Sequence, residues 1–178
     1  MRDRRLSHGA RRAREFEAFV AGAAGRLLHT ATLLTAEPPD ANPRARRLLA
    51  LSLAHTYADW DRRSGEDPYD DARQYLATRF ARAIWYRYGG APGRVRPPDP
   101  RHPLAELTPQ ERLIVVLRLY EGVAEEQAAA LLGLPAERVR AICARAVSTL
   151  LHPAHRAAPR GAGGTGPVSG AGAKAATP

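Results

Sequence analysis

Arg138, Ala141, Arg145 and Ser148 follow one another at steps of three or four, which places them along one face of a helix. Two of the four are arginines, and Arg140 adds a third cation beside them. An arginine on such a face can pair bidentately with a guanine edge or neutralise a phosphate. Glu137 could accept from a cytosine amino group, or simply favour a helix N-terminus through the macrodipole. The opposite face carries Val139, Ile142, Ala146 and Leu150, an apolar stripe that has to be buried. Upstream, Ala129, Gly133 and Val139 fall at the offsets a helix-turn-helix requires. A small residue lets two helices cross closely, a glycine accepts a positive φ in the turn, and a β-branched residue locks the second helix onto the first. The spacing is equally compatible with a solvated charged face on an ordinary bundle helix.

The elements that would position this face begin at Thr108-Pro109-Gln110-Glu111. Thr108 is an N-cap, Pro109 suits the first helical position and Glu111 completes a capping box. A helix is predicted from there to Tyr120, broken by Gly122. A short second one, from Ala124 to Leu132, ends at Gly133, and a third starts at about Pro135.

In the first half, Phe16, Phe19, Val20, Ala23, Leu27, Leu28, Ala31 and Leu34 predict one long amphipathic helix that stops before Pro38-Pro39. A second helix is expected from about Arg44 to Trp60 and a third from near Pro68 to about Tyr88, with a polar loop between them. Gly89 to Pro103 holds three glycines and five prolines, the composition of a linker. No alternating strand pattern occurs, so the fold class is all-α. The expected organisation is a disordered basic arm over 1–14, a three-helix domain over 15–88, a linker over 89–106, a helix-turn-helix domain over 107–151 and a disordered tail over 152–178.

The formal charge of +9 is nearly all arginine, and its placement matters more than its size. Residues 1–14 contain six arginines against one aspartate, whereas 15–88 and 107–151 are each balanced. Excess at flexible ends strengthens nucleic-acid binding in a salt-dependent way and carries no sequence information. Cys143 is alone, which excludes an intramolecular disulfide and fits a reducing compartment. No apolar run of signal or membrane-spanning length follows the basic start, so a soluble, cytoplasmic chain with no membrane contact is expected. Gly161, Gly163 and Gly166 match a nucleotide-loop spacing, but no strand precedes them and no helix follows. His152 and His155 are separated by Pro153 and have no carboxylate or thiol nearby in sequence. No catalytic constellation is present, and no cofactor or metal is expected.

A three-helix domain, a Pro-rich linker and a C-terminal helix-turn-helix in this length resemble an extracytoplasmic-function sigma factor of bacterial RNA polymerase. The resemblance runs from about Phe16 to Leu151. It is carried by Leu107-Thr108-Pro109-Gln110-Glu111-Arg112, Val116-Leu117-Arg118-Leu119-Tyr120-Glu121-Gly122, Leu132-Gly133 and Arg145-Ala146. In the first half it rests on Phe16-Glu17-Ala18-Phe19, Leu33-Leu34-Thr35 and Leu53 to Trp60. It implies that Arg138, Arg140, Ala141, Arg145 and Ser148 face the minus-thirty-five element. It also implies that Arg79, Arg82, Trp85 and Tyr86 meet the melted minus-ten strand, where rings stack on bases and guanidinium groups hold phosphates. Trp85 and Tyr88 could equally cap the domain's core. The polymerase-facing helix would present Arg44, Arg46, Arg47 and Leu51 where relatives are acidic, an inversion of charge at that interface. Asp40, Glu37 or a shifted register could then supply the contact. The implied partners are promoter DNA, core RNA polymerase and a possible anti-sigma factor. The implied function is directing polymerase to promoters. The alternatives are a diverged sigma-like DNA-binding regulator that no longer binds core polymerase, or a protein-interaction adaptor.

Overall fold

The computed structural model describes residues 2–62, 67–88 and 97–152, with side chains described from residue 8 and, in the third helix, up to residue 84. Among these residues there are six helices and no strand: α1 (Arg2–Thr35), α2 (Pro43–Ala58), α3 (Pro68–Tyr88), α4 (Pro109–Val115), α5 (Glu125–Leu132) and α6 (Ala136–Leu151). The tail over 153–178 and most of the glycine-rich stretch before residue 97 lie outside the described residues. Among the described residues no helix is long and apolar enough to cross a membrane.

The apolar stripe of α1 does bury: Leu27, Ala31 and Leu34 are fully inaccessible to solvent. The helix does not begin at residue 15, however. It continues back to Arg2, so the segment expected as a disordered arm is helical instead. Alanine and arginine are good helix formers and extend a helix already anchored downstream. Arg12 adds a tertiary tie, pairing with Asp61 at 3.0 Å and lying over the Tyr57 ring at 4.3 Å. Beneath it Phe16, Phe19, Tyr57 and Trp60 form an aromatic cluster, with Phe16 edge-on to Trp60 at 5.1 Å. The helix ends at Ala36, whose φ of 50° is unusual for a residue with a Cβ. Pro38 and Pro39 prevent continuation.

The α1–α2 connection is built on Glu37, which is 3% exposed. Its carboxylate accepts the backbone N–H groups of Arg44 and Ala45 and the Arg44 guanidinium at 3.0 Å. It therefore satisfies donors at the start of α2 that the N-cap residue Asn42 leaves open, since the Asn42 side chain donates to Thr32 and Pro39 instead. Helix α2 gives way after Ala58 to a 3-10 turn over Trp60–Arg62.

In the second half the capping box forms as its residues predict. The Glu111 N–H reaches Thr108 Oγ1, and the Glu111 carboxylate accepts the Thr108 N–H at 2.9 Å. The predicted single helix to Tyr120 changes character at Val116, where the chain widens into a π-helical turn over Val116–Tyr120. Such turns are uncommon and concentrate at functional or strained positions. Gly133 closes α5 at φ 64°, and Leu134 N–H returns to Ala129 O at 3.0 Å. A Cβ at Gly133 would meet nothing within 4 Å, so substitution is penalised through the backbone alone. Gly133→Ala is expected to cost about 1 kcal/mol in urea unfolding, and an unchanged midpoint would refute this.

Two expectations about domains need correction. Residues 97–106 are not a bare spacer. Asp99 N–H bonds to Ala36 O, Asp99 and His102 cap successive turns, and Leu104 and Leu107 are buried. Two leucines within reach of an apolar surface outweigh the surrounding prolines. Nor are the two helical units separate bodies. One core contains Ala31, Leu34, Leu76 and Ala81 from the first half together with Leu113, Ile114, Leu117 and Val139 from the second.

Candidate nucleic-acid interface

Helix α6 is held by Val139, Ile142 and Ala146, all buried, with Ala129 of α5 at 5% exposure beneath the crossing. Its other side leaves Arg138, Arg140, Ala141, Arg145 and Ser148 exposed. These five residues therefore share one accessible surface, while Ala129, Gly133 and Val139 make the crossing and its turn. Cys143 sits at the edge of the core, and burial pushes its thiol above the usual range.

The three arginines differ in what holds them. Arg140 makes a two-pronged pair with Glu125 of α5, at 2.7 and 3.2 Å. Arg145 reaches back to Glu111 at 3.2 Å. Arg138 has no carboxylate partner among the described residues. Glu125 raises the Arg140 guanidinium further above its already high value. Burial on its own would raise the Glu111 carboxyl, but bonds from Thr108 and Arg145 bring it below the usual range.

Glu37 behaves the same way: burial alone would raise it, and the Ala45 and Arg44 bonds hold it down. Both carboxyls thus have folded values below their ordinary 4.5. The stability they contribute is complete above that value and is lost as pH falls through the folded ones. Thermal melts should show a falling Tm from about pH 5 to about pH 3, with a shallower fall in Glu37→Gln. Identical slopes in the two proteins would exclude Glu37 as a source.

The other anticipated contacts are less uniform. Arg79 and Arg82 are exposed on α3, one turn apart. Trp85 and Tyr86 continue that helix, and their side chains lie outside the described residues. Arg44 is turned inward, donating to Glu37 and to Thr35 O, whereas Arg46 and Arg47 are exposed and Leu51 is half-buried. Glu37, engaged at both oxygens and buried, is not presented to a partner; Asp40 is exposed.

Residues 104–152 match the family model for sigma-70 region 4. The RNA polymerase sigma-E factor of Streptomyces coelicolor is 29% identical over 160 residues, spanning 76% of this chain and 84% of that one. The chain resembles the extracytoplasmic-function sigma factors. In fold, this chain is similar to the Bartonella quintana sigma factor RpoE solved in complex with the anti-sigma factor NepR. The TM-score is 0.57 at 17% identity, over 78% of this chain and 95% of that one.

Two buried charged residues of this chain were not singled out as functional from sequence. Arg112 is 5% exposed and donates to Leu34 O at 3.0 Å and to Leu107 O at 2.8 Å, with no carboxylate on it among the described residues. Burial, with the nearby Arg44 charge, lowers its guanidinium to about 10. Glu121 is likewise buried and accepts from three residues of the first half. Neither position shows a spacing signal, because Leu34, which Arg112 reaches, and all three donors to Glu121 lie more than fifty residues away along the chain.

Proposed function

We propose that this chain is a transcription initiation factor that docks promoter DNA with α6 and directs core RNA polymerase to it. The observation that carries the reading is the face of α6: three arginines exposed on a helix clamped by Val139, Ile142 and Ala146, within the segment that matches region 4. Arg138, Arg140, Ala141, Arg145 and Ser148 are assigned to the minus-thirty-five element. Arg79, Arg82, Trp85 and Tyr86 are assigned to the melted strand. Residues 15–88 and 107–151 are the two working units, and the chain acts in the cytoplasm. An anti-sigma factor is a natural partner for this fold, since the similar RpoE was solved with one.

A second reading is favoured by one observation. The first turn of α2 contains no acidic residue, and Arg46 and Arg47 are exposed there. A basic polymerase surface would be repelled, so a DNA-binding regulator independent of core polymerase is the alternative. Transcription in vitro from a promoter pool, with core polymerase and with or without this chain, separates the two. New specific transcripts support the initiation factor. DNA binding without transcripts supports the regulator and makes Arg46 and Arg47 the surface to pursue.

A further inference from the structure

The first turns of α1, residues 2–14, run out from the packed body, and His8, Gly9 and Ala10 are exposed. At the rise of an α-helix this segment is about 20 Å long. Its foot is fixed. Arg12 pairs with Asp61 at 3.0 Å, donates to the Tyr57 carbonyl and lies over the Tyr57 ring at 4.3 Å. One turn further on, Phe16 packs against Tyr57 and Trp60. Helical spacing puts Arg12, Phe16 and Phe19 on the stripe that meets Tyr57 and Trp60, and Arg4, Arg11 and Arg14 on a neighbouring one.

Arg11 and Arg14 are exposed on that second stripe. Arg11 meets Glu15 at 3.6 Å with both side chains more than half exposed, and Arg14 donates to Ala10 O at 3.3 Å. So open an ion pair holds its guanidinium weakly. On α6, by contrast, Arg140 and Arg145 each face a largely buried carboxylate from another helix. Residues 2–14 contain six arginines, one aspartate and, in Leu6, one large apolar residue. Such a segment has no apolar face to bury in a protein groove or a lipid surface. A line of phosphates is what it complements.

We propose that residues 2–14 of α1 form a positioned basic arm that binds the phosphate backbone of DNA through Arg4, Arg11 and Arg14. Arg12 is the positioning residue that sets the arm's direction. The contact is independent of base sequence and separate from α6. It rests on the reading that DNA is this chain's partner, but not on α6 as the reader. Because α1 is locked into the core at Leu27 and Leu34, the fold aims the arm. Cations already held in place lose less freedom on meeting phosphate, so the same charge binds more tightly as helix than as coil.

The test follows binding of the full chain to a random-sequence duplex of about 30 base pairs by fluorescence anisotropy across a salt series. Arg4→Gln, Arg11→Gln and Arg14→Gln together keep helix propensity, and should weaken binding roughly tenfold and lower the salt slope by about 2 to 3. Ala13→Pro leaves the charge untouched but breaks the helix between arm and body. It should weaken binding several-fold and lose helical circular dichroism. If it also lowers the melting temperature of the whole chain, Ala10→Pro, at an exposed position, takes its place. An unchanged slope in the triple variant overturns the arm, as does a parent that binds no duplex. Unchanged or tighter binding in the proline variant overturns the positioning and makes the arginines a loose charge. If the triple variant loses affinity while Arg138→Ala loses none on a promoter duplex, the arm stands and the role of α6 falls. The reverse result keeps α6 and removes the arm.

Discussion

Arg138→Ala and Arg145→Ala should each weaken binding to a promoter duplex by about 1 to 3 kcal/mol where the arginine is bidentate to a base. The two substitutions act at opposite ends of the same exposed face, so the pair should lose close to the sum of the single losses. They differ in what they leave behind. Arg138 has no carboxylate partner among the described residues, so its removal subtracts a DNA contact and little else. Arg145 is already held by Glu111 at 3.2 Å, and its removal also strips one bond from that carboxylate. Since Glu111 keeps its two Thr108 bonds, the start of α4 should survive. Electrophoretic shifts on the same duplex measure both effects, and circular dichroism checks the helices. Unchanged affinity in both variants would remove α6 as the reading element.

Leu34→Ala is expected to cost about 2 to 5 kcal/mol, and to do so in a single unfolding transition. Leu34 is fully buried and belongs to the core that also contains Leu113, Ile114, Leu117 and Val139. If the halves were independent bodies, the loss would be confined to the first. Because they share one interior, the second half should melt at the same lowered temperature. The converse substitution, Leu117→Ala, should lower the first half equally. Calorimetry gives the answer directly: two resolved transitions, only one of them shifted, would show that the shared core does not govern stability in solution.

The helices were legible because each carries its own local signal. The apolar stripe of α1, the Thr108–Glu111 box and Gly133 with its positive φ all operate within a few residues, and the chain follows them. What was not legible depends on partners distant in sequence. Arg12 looked like part of an unstructured basic run until Asp61 and the Tyr57 ring were found beneath it. Residues 97–106 looked like a linker because proline dominates their composition, although Leu104 within them and Leu107 just after them decide their placement. The Arg44 reversal of charge looked like a surface feature, yet the side chain turns inward to Glu37. The face of α6 was readable from spacing alone. The carboxylates that hold two of its arginines were not, since Glu111 and Glu125 belong to other helices.

That pairing changes what an approaching polyanion meets. By residue count α6 offers three cations, but Arg140 and Arg145 each travel with a counter-anion supplied by the protein. At a distance their fields largely cancel, leaving Arg138 as the main unbalanced charge on this face. A stretch of DNA with the wrong bases can offer these two side chains only phosphate, another anion in exchange for the one they already hold. A guanine edge offers two acceptors in one plane, which matches the planar fork of a guanidinium. On the DNA-docking reading, the built-in carboxylates weaken the purely ionic pull of these two arginines on any phosphate and leave discrimination to the fork that meets a guanine edge.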